Sequence, residues 1–271
     1  MAATASGGCV FVTAVRTTES VGRWLSRAAL AMRPRTDSKR SARLDGCWGS
    51  GEEGVMSRSD AEILWNVACV LARDAADVSG TARRIGPGLP PLLFFTDPDR
   101  TPRPWETAAR LPAGSGVVFR HFGRPDARET ALRLRQVTQD REVRLLIGLD
   151  SDLAEAIVAD GVHLPERALS LAAGLRAAHP DWLITGAAHS AAFLSATNLD
   201  ALVISPVFPA GGPSRQRPAL GLPGLRALID QASCPVHALG GIDARRAADL
   251  IGSGASGLAG VAAIQTAFRP R

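Results

Sequence analysis

The sequence predicts an α/β fold: a compact (β/α)8 TIM barrel preceded by an N-terminal helix and a disordered N-terminal tail. Three observations predict it. From residue 92 onward, eight short apolar runs alternate with stretches of helical periodicity, the pattern of a parallel sheet covered by helices. The last two runs stop at glycine, at Gly240-Gly241 and at Gly260, before the chain turns helical again. Barrels of this kind commonly build phosphate sites after their seventh and eighth strands. The chain has 271 residues, room for one large domain and an appendage.

Residues 1–55 hold eight Lys or Arg against five Asp or Glu and show no periodic apolar pattern, so a disordered tail is expected. Arg16, Arg23 and Arg27 suggest an organelle transit peptide, but Glu19, Asp37, Asp45, Glu52 and Glu53 are too many acids for one. Lys occurs once, Tyr never, and Asn only at Asn66 and Asn198. Those residues need A/T-rich codons, which points to a GC-rich bacterial genome. Long upstream reading frames arise there by chance, making Met56 the alternative start. Within 56–85, Ser59 and Glu62 form a capping box, and Ile63, Leu64, Val67, Val70 and Leu71 recur at helical spacing. They predict an amphipathic helix from residue 60 to about 77. Its stripe packs on the barrel or on a second copy of the chain. Residues 86–91, GPGLPP, read as a linker.

The barrel proper is expected over 92–271. Its strands are read at 92–96, 116–120, 144–148, 161–164, 183–187, 201–205, 236–239 and 257–259. The clearest helices are 127–138, 152–159, 169–178, 222–231 and 244–251. About 180 residues is short for a fold that typically takes about 250. A doubly wound open sheet is the competing arrangement, but it would not require the two glycine-ended strands to be neighbours.

Composition narrows the function. No apolar run approaches the roughly 20 residues that span a bilayer, so no membrane role is expected. The formal charge of +5 falls to about two excess positive charges outside residues 1–55, which argues against a nucleic-acid surface. Cys9, Cys47, Cys69 and Cys234 lack the spacing of a metal or redox motif. Free thiols in a reducing, cytoplasmic compartment are the simplest reading.

The working residues of such a barrel lie at the C-terminal strand ends. Gly240, Gly241 and Gly260 let backbone N–H groups approach an anion, or simply make tight turns. Arg120 ends the second strand, where a guanidinium can grip phosphate bidentately. Asp150 and Asp152 follow the third strand as metal ligands or helix caps, with Ser151 and Asp152 the expected caps. His163 ends the fourth strand and His189 follows the fifth, suited to proton transfer or to a fixed hydrogen bond. The loop 210–220 after SPVFP reads as a lid carrying Arg215 and Arg217.

The ordered segments FFTD, VFR, LLIGLD, DGVHL, GAAHS, SPVFP, ALGGI and GASGLAGVAAI resemble the thiamine-phosphate synthase family, including its thiazole-tautomerase relatives, over about 92–268. The resemblance implies a transferase that joins a hydroxymethylpyrimidine diphosphate to a thiazole phosphate with magnesium's help and no organic cofactor. It implies that Gly241, Ala262 and Ala263 hold the thiazole phosphate and that Arg120 meets the diphosphate. The family's Asn-Asp after the third strand falls on Gly148-Leu149, and its Asp after the fourth on Ala168. Asp150, one residue on, is the substitute metal ligand; Glu166 is the other neighbour. Polar family positions also fall on Val118, Phe122, Ala187 and Pro213, and the tautomerase histidine on Pro206. Two alternatives stand beside the synthase. One is a non-catalytic barrel binding a thiazole or thiamine phosphate; the other is a tautomerase using His163 or His189.

Overall fold

The structure, a computed structural model, describes residues 59–78 and 88–270. The expected tail, 1–55, and the first two linker residues lie outside the described residues. Eight parallel strands close into a barrel in sequence order: β1 (Leu92–Phe95), β2 (Gly116–Phe119), β3 (Arg144–Gly148), β4 (Gly161–Leu164), β5 (Leu183–Ala188), β6 (Ala201–Ile204), β7 (Val236–Leu239) and β8 (Gly257–Gly260). Closure is made by β8 on β1, with Leu93 opposite Ala259. The helices are α1 (Asp60–Val78), α2 (Pro104–Ala108), α3 (Ala127–Asp140), α4 (Ser151–Ala156), α5 (Ala172–Ala178), α6 (Gly221–Gln231), α7 (Ala244–Ala247) and α8 (Ala262–Ala267). None is long and apolar enough to cross a membrane among the described residues.

Helix α1 starts at the expected capping box. Ser59 N–H donates to Glu62 Oε2 at 2.8 Å, and Glu62 N–H to Ser59 Oγ at 3.3 Å, so two of the orphan donors of the first turn are satisfied. Leu64, Val67, Ala68 and Leu71 are buried because this stripe packs against β1, β8, α7 and α8.

The helical layer is thinner than the sequence suggests. The expected helix 152–159 closes at Ala156, 169–178 divides into a 3-10 turn (Glu166–Leu171) and α5, and 244–251 divides into α7 and a second 3-10 turn (Ala248–Leu250). Between β5 and β6 only the three-residue turn Ala191–Phe193 remains, while the five-residue α2 falls below the length at which periodicity is readable. Short connections explain how the barrel closes in about 180 residues.

The core has two shells. Leu93, Phe95, Val118, Leu146, Val203 and Ala259 fill the barrel interior, and Phe94, Phe119, Ile147, Leu225 and Leu250 pack between strands and helices. At the N-terminal end His237 Nε2 lies 2.7 Å from the Pro90 carbonyl oxygen. Burial pushes His237 down to about 4, partly offset by that carbonyl, so the ring is a neutral plug.

Candidate functional site

A cleft of about 360 Å³ opens at the C-terminal ends of β7 and β8, lined by Arg100, Arg120, the 209–211 segment, Ser214, the 239–243 turn, Arg246 and residues 259–263. The two strands are direct neighbours, with Leu239 opposite Ala259, so their turns open side by side. Gly240 and Gly241 have φ of +103° and +67°, a region that favours glycine. They are also crowded. A Cβ built on Gly240 would meet Pro206 Cα at 2.8 Å, and one on Gly241 would meet the Pro209 carbonyl at 2.6 Å. The residues after β6 press on this turn, Val207 N–H donating to Leu239 O and Phe208 N–H to Gly240 O.

The consequence is a set of open donors. The N–H groups of Gly241, Ala262 and Ala263 have no hydrogen-bond acceptor among the described residues, although all three residues line the cleft. Backbone donors left free in a concave site suit an anion. The first donors of α7 are already taken, because Asp243 accepts from Arg245 N–H and Arg246 N–H at 3.1 and 3.0 Å. The open donors therefore belong to the turn after β7 and to the start of α8.

Arg120 is aimed into this cleft by its own strand end. Its N–H donates to Thr96 Oγ1 at 2.8 Å, its Nε–H to the Thr96 carbonyl at 2.9 Å, and its guanidinium carbon lies 5.1 Å from the Phe95 ring centre. Burial lowers its pKa, with Asp97 opposing and Arg100 adding to the shift; the group stays cationic because an arginine starts so high. Arg120 lines the cleft, and Nε–H is the guanidinium donor it gives to Thr96.

Neither candidate imidazole lines the cleft. His163 is buried in the barrel, with Nδ1 2.9 Å from Thr185 Oγ1 and its ring edge-on to Phe95 at 4.9 Å. Burial, with repulsion from Arg120 added, pushes it down to about 3. His189 is half-buried, its Nδ1 2.9 Å from the Ser205 carbonyl and its N–H donating to Glu166 Oε1 at 3.0 Å. Both imidazoles are held in hydrogen bonds, to Thr185 and to Ser205.

Magnesium does not fit the donor set that this chain presents. Asp150, the substitute ligand, is the N-cap of α4 and accepts from Leu153 N–H at 2.9 Å, so the cap is Asp150 itself rather than Ser151 or Asp152. Glu166 is engaged by the His189 backbone. Leu149 and Ala168 carry no donor atoms, and no group of three His, Cys, Asp or Glu is placed to hold a metal among the described residues.

Two arginines that sequence reasoning passed over do line the cleft, Arg100 and Arg246. Arg215 and Arg217 do not; both are exposed on the outer part of the loop. Arg100 follows FFTD by only three residues, so its place just after a strand end was the available signal. Arg246 sits in ARRAADL and reads as the solvent face of a helix; only its one-turn distance from Gly241 marks it.

A family profile described as thiamine monophosphate synthase matches residues 105–264. The chain is similar to the thiamine-phosphate synthase of Methanoculleus marisnigri, 32% identical over 164 residues, covering 58% of this chain and 78% of the relative. It is also similar to that of Leptospira biflexa, 33% identical over 178 residues, covering 61% and 85%. Among solved structures, the thiamine phosphate pyrophosphorylase from Pyrococcus furiosus superposes with a TM-score of 0.56 at 24% identity, over 67% of this chain and 92% of that one. That likeness concerns the fold.

Proposed function

The chain belongs to the thiamine monophosphate synthase family, and from that premise we propose that it is a transferase of thiamine biosynthesis, joining a hydroxymethylpyrimidine diphosphate to a thiazole phosphate. The observation that carries the reading is one cleft in which the unpaired N–H groups of Gly241, Ala262 and Ala263 stand with Arg120. Three backbone donors match a phosphate's oxygens, and a guanidinium meets a second anionic group bidentately. In the reaction the thiazole ring nitrogen gives its lone pair to the pyrimidine methylene carbon. A C–N bond forms, the C–O bond to diphosphate breaks, and diphosphate leaves with the electron pair. No proton moves in this step, which agrees with neutral, hydrogen-bonded His163. What the protein contributes is orientation of the two rings and positive charge beside the leaving group.

The lack of fitting magnesium donors favours a second reading, in which the same cleft binds a thiazole or thiamine phosphate without turnover. One experiment separates the two. The purified chain is incubated with both substrates, with and without magnesium, while diphosphate and thiamine phosphate are measured and thiazole phosphate binding is followed by calorimetry. Turnover supports the transferase, and binding without turnover supports the second reading. The control is Ala262→Asp: an acid in the first turn suits the helix dipole but repels a phosphate, so the fold is kept and binding is lost. Unchanged affinity in that variant removes the cleft from both readings.

A further inference from the structure

Two of the cations at this mouth, Arg100 and Arg246, stand beyond the one that the resemblance implies, Arg120. Where family positions carrying polar groups fall on Phe122 and Gly148, the rim between β2 and β3 is apolar, with Phe122 59% exposed. Charge gathers instead on the β1, β2 and β7 side of the mouth. Arg100 comes from the loop after β1, Arg120 from the end of β2 and Arg246 from α7, and all three line the cleft.

Each of the two additional guanidiniums is held in place. Asp97 accepts from Arg100 Nε–H and Nη2–H at 3.0 and 2.7 Å, which leaves the Nη1 edge free of that carboxylate. The same guanidinium lies against the loop after β6: a Cβ built on Gly212 would be 3.2 Å from Arg100 Cζ. Arg246 sets its guanidinium 5.6 Å from the Phe208 ring centre and reaches the Gly241 carbonyl at 3.4 Å, beside the open Gly241 N–H. Of the acids nearby, Asp97 is paired with Arg100, and Asp243, which also lines the cleft, caps the first turn of α7. An arginine has five N–H donors, so fixing one or two of them orients the rest.

We propose that Arg100, Arg120 and Arg246 form a guanidinium clamp that holds a phosphate or diphosphate anion in this cleft without a divalent cation, with Arg246 as a specificity-determining residue for the phosphate beside Gly241. The clamp supplies positive charge from fixed side chains at a mouth whose carboxylates do not form a magnesium site. It rests on the reading of the cleft as a phosphate site.

The test is calorimetry on the full chain in EDTA with inorganic phosphate and inorganic diphosphate as probes, repeated with magnesium, for the wild type, Arg100→Ala and Arg246→Ala. Circular dichroism melting confirms that these two substitutions leave the fold intact. Both probes bind in EDTA, magnesium does not strengthen binding, and each variant weakens it roughly tenfold or more, as expected for charge-assisted hydrogen bonds. Binding that requires magnesium, or wild-type affinity in either variant, overturns the clamp. Thiazole phosphate binding no more tightly than inorganic phosphate would count against the substrate assigned above while leaving the clamp standing. Thiazole phosphate binding that survives in both variants sinks the clamp and keeps that substrate.

Discussion

The ring of Phe122 lies over the backbone of Gly148: a Cβ built on Gly148 would stand 3.1 Å from Phe122 Cζ and 3.0 Å from the Phe119 carbonyl oxygen. Two positions at which the sequence departs from the family pattern, one after β2 and one at the end of β3, are thus one contact. A side chain at 148 and the ring at 122 compete for the same space. Gly148→Asn is expected to destabilise the fold by about 1–2 kcal/mol through overcrowding. Combining it with Phe122→Lys returns part of that loss, because the residual clash is with the Phe119 backbone alone. Urea unfolding of the double-mutant cycle measures the coupling; strictly additive effects would show that the two residues do not share the space.

At the other end of the barrel, an aspartate just before one strand ties down the start of the strand before it, twice. Asp160 Oδ2 accepts from Leu145 N–H at 2.8 Å and from Arg135 Nη1–H at 2.6 Å. Asp200 Oδ2 accepts from Ile184 N–H at 2.7 Å and from Arg176 Nη2–H at 2.6 Å. Asp160→Ala leaves a largely buried Arg135 and a strand N–H without their acceptor, at a cost of about 1–3 kcal/mol. Stability is expected to fall while phosphate affinity at the far end of the barrel stays as it was. A parallel loss of affinity in a variant that remains folded would contradict the separation of the two ends.

Burial lowers the pKa of three imidazoles, His121, His163 and His237, and makes the fold sensitive to acid. His163 is pushed down to about 3 and His237 to about 4, chiefly by burial, while an unfolded chain protonates histidine near 6.5. Between roughly pH 4 and 6.5 the unfolded state therefore binds protons that the folded state does not. Stability rises with pH through that window and levels off above it. The slope approaches about 1.4 kcal/mol per pH unit for each ring. Asp97, held below the ordinary carboxylate range by Arg100 against the opposing effect of burial, adds a loss only at lower pH. Unfolding free energies from pH 4 to 8 test this, with His237→Gln expected to reduce the slope and leave the contributions of His163 and His121. An unchanged slope in that variant would mean that the ring titrates normally.

The strands were legible because a parallel strand buried on both faces reads as a run of apolar residues, as in LLFF and RLLIG. Gly240-Gly241 and the capping box at Ser59 were legible for the same reason, since each is a local demand of the backbone met by a particular residue. The site was legible only where it coincides with such demands. Arg120, Gly241, Ala262 and Ala263 all follow closely on strand ends. Arg100 and Arg246 belong to the cleft through folding, since their only marks in the sequence, a place just after a strand and one turn from Gly241, do not say which way a side chain faces. The thin helical layer over β5 was hidden because HSAAFLSATNLD has ordinary composition. The exposed Arg215 and Arg217 show the converse: a position on a loop beside the mouth says nothing about which way its arginines face.

Asp150 gives the sharpest test of what this mouth does. As the N-cap of α4 it holds Leu153 N–H at 2.9 Å, a bond that serine also makes from this position, whereas alanine does not. Asp150→Ala is expected to cost about 0.5–2 kcal/mol of stability, and Asp150→Ser only a few tenths. A magnesium ligand would behave differently, because a serine hydroxyl does not replace a carboxylate on a hard cation. Under the cap role, diphosphate release and phosphate affinity are unchanged in both variants once each is assayed well below its melting temperature. Under a metal role, Asp150→Ser would melt like the wild type yet lose magnesium-dependent turnover. Melting curves and turnover measured on the same two variants decide between them, and the bond to Leu153 predicts the first pattern.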